Sequence, residues 1–365
     1  KATTSDFDIG KLKPINRLLD SAPLVPDQLF ELFGWAANYY QYPIGDALFS
    51  TLPVLLRKGE PLPKLGTRHW RLTQKGKGLG KDSLKRAPSQ QALVEQLKTT
   101  GAVADLVLSK DFSRAILTSL EQKELIECFQ KSNTETSVSN ILKQDALKLH
   151  DSQQSALDSI EQHNFNCYLL DGVTGSGKTE VYLQAIEKTL RYDRQALVLI
   201  PEISLTPQTE KRFRDRFNVP IVTLHSGLTD KNRLTAWTSA KTGEARIILG
   251  TRSAVFTPLC QPGLIIVDEE HDQSYKQHEG FRYSARDLAV IRARRENISI
   301  ILGSATPSIE SLNNCAADRY QHLVLTDRAG KAVQPTWSIV DLKNEQCEAG
   351  IAASTLANIR QTVEQ

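Results

Sequence analysis

The chain has 365 residues, enough for roughly two or three domains of ordinary size, and 40% of them are hydrophobic. A formal net charge of +3 is too small to specify a polyanionic partner, so any basic surface must be local. Five cysteines without a C-x-x-C pair argue against a zinc site or a disulfide framework, and no apolar run approaches a membrane span; a reducing, cytoplasmic setting is expected.

The chain starts at Lys1, contains no methionine and opens on no signal peptide, so it is expected to be a fragment of a longer protein. Residues 1–60 read as the tail of a domain whose start lies upstream. Within them, Leu29 to Tyr42 suggests an amphipathic helix with Trp35, Tyr39, Tyr40 and Tyr42 crowded at its end. Pro43-Ile44-Gly45 stops it, and Asp46 to Leu56 suggests a second short helix. A pair of helices this small buries little surface alone. Residues 57–66 read as a linker.

Residues 65–132 form a small module. Arg68–Leu72 reads as a strand, Lys75–Gly80 as a turn, and Ser89–Thr99 as a helix with Ser89 as its cap after Pro88. Helical patches at 102–106 and 113–122 and a strand at Leu125–Phe129 follow. This order suggests a winged-helix-like domain, with a generic helical spacer as the alternative. The run 131–139 is polar and is expected to be mobile.

From 145 to 330 the pattern is regular α/β. Apolar runs at Cys167–Leu170, Ala196–Ile200, Ile221–Leu224, Ala245–Leu249, Gly263–Val267 and Ser299–Leu302 alternate with helical stretches. That predicts a mostly parallel sheet with helices on both faces. Cys167 and Cys260 border apolar segments and are expected to be buried.

Gly172–Thr179 (GVTGSGKT) matches G-x-x-x-x-G-K-[ST] at every fixed position, between a strand and a helix. Gly172, Thr174, Gly175, Ser176 and Gly177 would let the backbone curl around a phosphate. Lys178 would reach the β- and γ-phosphates of ATP, and the Thr179 hydroxyl would hold Mg2+. Asp268-Glu269-Glu270-His271 follows the run Leu264–Val267, on a strand expected to neighbour that of the P-loop. Asp268 is the candidate Mg2+ ligand and Glu269 the candidate general base for the attacking water. Gly303-Ser304-Ala305-Thr306 ends a further strand, where Ser304 and Thr306, with His271, are candidates for sensing the γ-phosphate.

Gly-Lys-Thr, Asp-Glu-Glu-His and Ser-Ala-Thr in this order resemble superfamily 2 helicases and translocases. The fuller match is to the bacterial replication-restart helicases, carried by Gly172–Val181, Val198–Gln208 (VLIPEISLTPQ), Gly250–Phe256 (GTRSAVF) and Asp268–Ala289. The resemblance implies a RecA-like first helicase lobe at 145–330, preceded by part of a DNA-binding domain at 1–60. Residues 331–365 would run into a second lobe, which would supply an arginine to the γ-phosphate. It implies DNA contacts from Thr206 and Gln208, and from Thr251, Arg252 and Ser253. The loop 274–283 would contribute Tyr275, Lys276, Arg282 and Tyr283, its aromatic rings stacking on bases and coupling DNA to hydrolysis. Arg286, at the start of the next helix, would pair with that loop or with the acid motif. Gln153 would read adenine through its amide. Zinc is expected only in a C-terminal part outside this chain. The implied activity is 3′→5′ DNA unwinding driven by ATP. Branched and single-stranded DNA, primosome proteins and single-stranded-DNA-binding protein are the implied partners. Two alternatives stay open: another superfamily 2 translocase of the restriction type, and a non-catalytic DNA-binding adaptor that keeps a P-loop fold.

Overall fold

The structure, a computed structural model, describes residues 18–20, 22–63, 65–80, 83–84, 87–131, 141–326 and 339–363. It divides into a unit spanning Lys1–Asp327 and another spanning Arg328–Gln365.

The first unit opens with α1 (Asp27–Tyr39), α2 (Ile44–Thr51) and α3 (Val54–Arg57). The second predicted helix is two, because Pro53 has no N–H to donate and its ring clashes with the preceding turn. α1 is not the poorly buried element its length suggested. Leu29, Leu32, Phe33 and Ala36 are at most 1% exposed and share a core with Phe256, Leu288 and Ala289. Phe33 stacks on Phe256 with ring centroids 5.2 Å apart. Each such large apolar side chain contributes about 1.5–3 kcal/mol on burial, so this stripe ties α1 to the α/β lobe.

Residues 65–131 contain β1 (Thr67–Leu72), α4 (Gln74–Lys77), α5 (Pro88–Thr100), β2 (Val103–Ala104), α6 (Asp105–Asp111), α7 (Arg114–Gln122) and β3 (Ile126–Lys131). The strands form an antiparallel sheet in the order β2-β1-β3 around a core of Trp70, Leu93, Leu97, Leu117 and Leu120. The Trp70 indole donates to Asp105 Oδ1 at 2.6 Å, which satisfies its polar edge. Ser89 does not cap α5: Pro88 takes the first helical position, and Ala87 before it offers no side-chain acceptor. Most of the polar run, residues 132–139, lies outside the described residues.

The lobe follows as α8 (Asp151–Ser159), β4 (Cys167–Gly172), α9 (Lys178–Arg191), β5 (Gln195–Leu199), α10 (Pro207–Arg216), β6 (Ile221–Leu224), α11 (Asp230–Thr242), β7 (Ile247–Gly250), β8 (Pro262–Val267), α12 (Ala285–Glu296), β9 (Ser299–Ser304), α13 (Ile309–Ala316) and β10 (Gln321–Leu325). All seven strands are parallel, in the order β10-β4-β9-β8-β5-β7-β6. Alternate residues sort into two cores, one per face. Leu169, Leu197, Ile265 and Ile300 enter one; Leu170, Val198, Ile266 and Ile301 enter the other. The strand of the acid motif does not adjoin the P-loop strand: β9 lies between β4 and β8. This inserts the Ser-Ala-Thr strand between the two chemical motifs. The edge strand β10 was not foreseen, since its residues are mostly exposed and lack a buried strand's apolar run. Cys167 is buried as expected, but Cys260 is exposed in the turn before β8.

In the second unit, β11 (Cys347–Glu348) and β12 (Ile351–Ala352) form a hairpin, followed by α14 (Ala353–Val363). Ala349 and Gly350 both take positive φ, as a tight two-residue turn requires. Residues 331–338 lie outside the described residues. Among the described residues no helix is long and apolar enough to cross a membrane.

Candidate functional site: a phosphate-binding loop beside an acid motif

The loop between β4 and α9 curls because Gly175 and Gly177 sit at φ +84° and +81°, where a side chain would be strained. Gly172 leaves room for the loop to fold back: a Cβ there would lie 2.5 Å from Ser176 Oγ. The Ser176 hydroxyl is itself buried with no hydrogen-bond partner. The loop opens onto the N-terminus of α9, whose dipole favours an anion. Lys178 is buried, donates to the Gly172 carbonyl at 2.7 Å and stands 4.0 Å from Glu269 Oε1. The Thr179 hydroxyl lies 3.4 Å from Arg212 Nη1, and Thr174 is exposed on the rim.

Parallel pairing sets the chemical groups at one end of the sheet. Asp171 stands opposite Ser304, and Val267, just before Asp268, stands opposite Leu302. Tyr182 donates to Asp268 Oδ1 at 3.1 Å. Burial, then the charge of Glu269, pushes the Asp268 carboxyl above the usual carboxylate range. Burial also holds the Tyr182 phenol well above its ordinary value, so Tyr182 remains a neutral donor. Glu269 adopts φ +45°, a left-handed conformation uncommon outside glycine and concentrated at functional sites. His271 Nδ1 contacts Ser304 Oγ at 2.7 Å, Nε2 lies 3.4 Å from Thr306 Oγ1, and the ring is 3.7 Å from Glu269. The three candidates for sensing the γ-phosphate are therefore neighbours.

An orphaned buried hydroxyl, a lysine over a glycine cradle and a buried carboxylate at a nearby strand end together fit a Mg2+-nucleotide. Mg2+ takes oxygen ligands and usually needs only one or two from protein. Thr179 and Asp268 are the residues that would hold it. Among the described residues there is no cluster of three or more His, Cys, Asp or Glu side chains suited to a metal.

Other expected site residues are placed differently. Gln153 is 3% exposed, and its amide is engaged within the protein. Oε1 accepts from the His150 N–H at 2.9 Å and Nε2 donates to the Ser176 carbonyl at 2.8 Å. It braces the P-loop instead of presenting an edge to adenine. Tyr275 and Tyr283 are not stacking platforms, because their rings are 2% and 9% exposed. The Tyr275 hydroxyl donates to the carbonyls of Asp268 (2.6 Å) and Leu199 (3.0 Å), while Tyr283 packs in a ring cluster with Phe256 and Phe281. Burial of that ring pushes the Tyr283 phenol up to about 12. Lys276 and Arg282 of the same loop are exposed. Arg252 donates to the loop carbonyls of Ser274 and Lys276 at 2.9 and 3.0 Å. Thr251 is buried, and Thr206 caps α10 by accepting from the Thr209 N–H. Gln208 is exposed. Ser253 is exposed too, on a cleft of about 250 Å3 that also takes Arg57, Ser226 and Arg233.

Two residues were given no role from the sequence. Tyr182 follows Lys178 by four residues, so helical spacing already puts both on one face of α9. Glu270 has a fully enclosed side chain. Its carboxylate accepts from the Ser308 N–H (2.7 Å) and from Arg286 Nη1, Ser308 Oγ and Ser311 Oγ (3.0 Å each). Arg286 thus pairs with the acid motif, one of the two partners left open for it.

Fold and site define a P-loop lobe, and the DEAD/DEAH box helicase family matches it at residues 150–315. A second family, the 3′DNA-binding domain (3′BD) of PriA, matches residues 1–53. The replication restart protein PriA of Haemophilus influenzae is 45% identical over 373 residues, covering 99% of this chain and 50% of that protein. The PriA proteins of Chlamydia pneumoniae and Bacillus subtilis are 35% and 37% identical, over 92% and 75% of this chain and 46% and 35% of theirs. The chain belongs to the PriA family of replication restart proteins, and it spans about half the length of the curated relatives it matches.

Proposed function

We propose that the protein to which this chain belongs is an ATP-dependent 3′→5′ DNA helicase that recognises branched DNA at stalled forks and begins primosome assembly. On this reading single-stranded-DNA-binding protein and the primosome proteins are its partners, and its setting is the cytoplasm. The observation that carries it is the convergence of Lys178, Asp268, Glu269, His271 and Ser304 at the end of one parallel sheet. When bound, Mg2+-ATP supplies a phosphoanhydride whose cleavage is exergonic. The chain's residues bind and orient it. Gly172 to Gly177 and the start of α9 cradle the phosphates. Lys178 leaves the Gly172 carbonyl for phosphate oxygen, and Thr179 and Asp268 offer oxygen to the cation. Glu269, held near Lys178 and His271, accepts the proton of the attacking water. His271 then reports the state of the site to Ser304 and Thr306.

DNA contacts in this reading come from Gln208, Ser253, Lys276 and Arg282, which are accessible. The chain alone binds nucleotide and DNA and hydrolyses ATP slowly, because an arginine from a second lobe typically contributes about 10³-fold or more to phosphoryl transfer. The test compares intact protein with Lys178→Ala on duplexes carrying either a 3′ or a 5′ single-stranded tail, with forked-DNA affinity measured in parallel. Unwinding of the 3′-tailed duplex that vanishes in the variant, with fork affinity retained, supports the reading. Unwinding that survives the substitution, or that prefers the 5′ tail, refutes it.

A further inference from the structure

Tyr40 closes α1 inside the segment that matches the 3′DNA-binding domain, yet its hydroxyl accepts a hydrogen bond from the Ser284 N–H at 3.2 Å. Ser284 is the N-cap of α12, its own hydroxyl accepting from the Asp287 N–H. The first turn of α12 carries Arg286, whose guanidinium grips Glu270 of the acid motif and Ser308 at the start of α13. On the other side of Ser284 lies the loop. Ser284 bridges Lys276, and the Tyr283 carbonyl accepts from the Gln277 N–H. The loop's Phe281 ring sits 6.2 Å edge-on from Tyr40 and 5.3 Å from Tyr42. One turn of chain, residues 284–287, therefore touches the N-terminal helix, the loop, the acid motif and α13 at once.

We propose that the first turn of α12 is a coupling joint. Through it the N-terminal DNA-binding segment sets the position of the acid motif, with Tyr40 and Arg286 as positioning residues that touch neither nucleotide nor DNA. The physical case is that each connection is a hydrogen bond or ion pair between buried or half-buried groups in a close-packed core. Such a core repacks between discrete arrangements and does not deform smoothly. A shift of α1 on binding DNA changes the cap of α12. Because Arg286 is two residues on, the same shift alters the hold on Glu270 and on the segment after Ser304–Thr306. The sequence alone pointed to the loop as the link between DNA and hydrolysis. The joint adds a second connection, which starts in the DNA-binding segment and reaches the acid motif without passing through the loop's aromatic rings.

The proposal rests on the helicase reading above, so its test uses a readout that needs no hydrolysis. Hydrogen exchange is followed in the intact protein and in Tyr40→Phe, with and without a forked duplex bearing single-stranded arms. The variant keeps the ring and its contact with Phe281, and loses only the acceptor for Ser284. The Ser284 amide is expected to exchange about two- to tenfold faster, the range spanned by one net hydrogen bond. In the wild type, forked DNA is expected to change exchange at Glu270 and Ser308; in Tyr40→Phe that response should be lost while fork affinity stays the same. The ratio of DNA-stimulated to basal ATP hydrolysis should fall in step, with the basal rate unchanged. Arg286→Lys, which keeps the charge but not the planar guanidinium whose Nη1 reaches both Glu270 and Ser308, should lose the same response. A Tyr40→Phe protein whose Glu270 and Ser308 amides still answer to DNA overturns the joint. A wild type that hydrolyses no ATP, while the exchange response follows Tyr40, overturns the helicase reading and leaves the joint standing.

Discussion

Replacing Gly303 with alanine tests whether the packing between the two chemical motifs is as tight as the structure has it. Gly303 lies on β9, between the P-loop strand and the acid-motif strand. A Cβ built there would stand 1.5 Å from Tyr182 Oη and 2.7 Å from Cζ. Neither side has slack: the Tyr182 ring is 2% exposed, and its hydroxyl is committed to Asp268. The added methyl must expel the phenol or bend the strand. Overpacking of this kind costs about 1–3 kcal/mol, and loss of a hydrogen bond to a charged group about 1.5–3 kcal/mol. A loss of roughly 2.5–6 kcal/mol is therefore expected, read as a lower urea midpoint at constant slope. The added substitution Tyr182→Phe removes the 1.5 Å contact but leaves the one at 2.7 Å, so it should recover part of the loss. In the wild-type background the same change only removes a hydrogen bond and should destabilise. The two substitutions are thus non-additive by about 1 kcal/mol or more. A Gly303→Ala protein within about 0.5 kcal/mol of wild type, or strictly additive effects, would refute the argument.

Three further outcomes follow from the same geometry. Gln153→Ala removes both bonds that hold His150 and Ser176, so nucleotide affinity should fall about tenfold or more while a titration with single-stranded DNA stays unchanged. Tyr275→Ala should lower stability by about 3–5 kcal/mol, since it empties the space of a buried ring and removes its hydrogen bond to the Asp268 carbonyl; a variant as stable as wild type that loses only DNA stimulation would restore the stacking role. Asp268→Asn should raise the melting temperature of the nucleotide-free protein. The sign follows from the raised pKa: folding favours the protonated carboxyl, so at neutral pH the ionised form opposes folding, and the uncharged amide removes that opposition. A lower melting temperature would count against it.

The lobe was legible because its strands are buried on both faces and read as unbroken apolar runs, Leu264–Val267 above all. Strand order was not, because nothing in a single apolar run says which neighbour it pairs with. The expected adjacency of β8 to β4 failed for that reason. α1 was legible as a helix but not as part of the lobe's core. Its apolar face is ordinary, and only the partner surface of Phe256 and α12 decides where it is buried. Helix boundaries slipped where a proline can either precede a helix or start it, as at Pro88.

At the site, residues whose chemistry demands a fixed spacing lie close together. Lys178 faces Glu269, and His271 faces Ser304, because a P-loop and two strand ends can meet in few ways. Residues selected for their composition fared differently. Tyrosine, arginine and glutamine each have an apolar or planar body and a polar tip, so they serve equally well as ligand contacts and as internal braces. Tyr275, Arg252 and Gln153 all proved to be braces: each directs its polar tip to a backbone carbonyl beside the acid motif or the P-loop. A carbonyl in a loop next to a catalytic group has lost its ladder partner to the geometry of the site, and leaving it unpaired in a dry interior would cost about 1–3 kcal/mol. The polar side chains nearest the motifs in space are recruited first to pay that debt, which leaves ligand contacts to exposed residues one step further out, such as Lys276, Arg282 and Ser253.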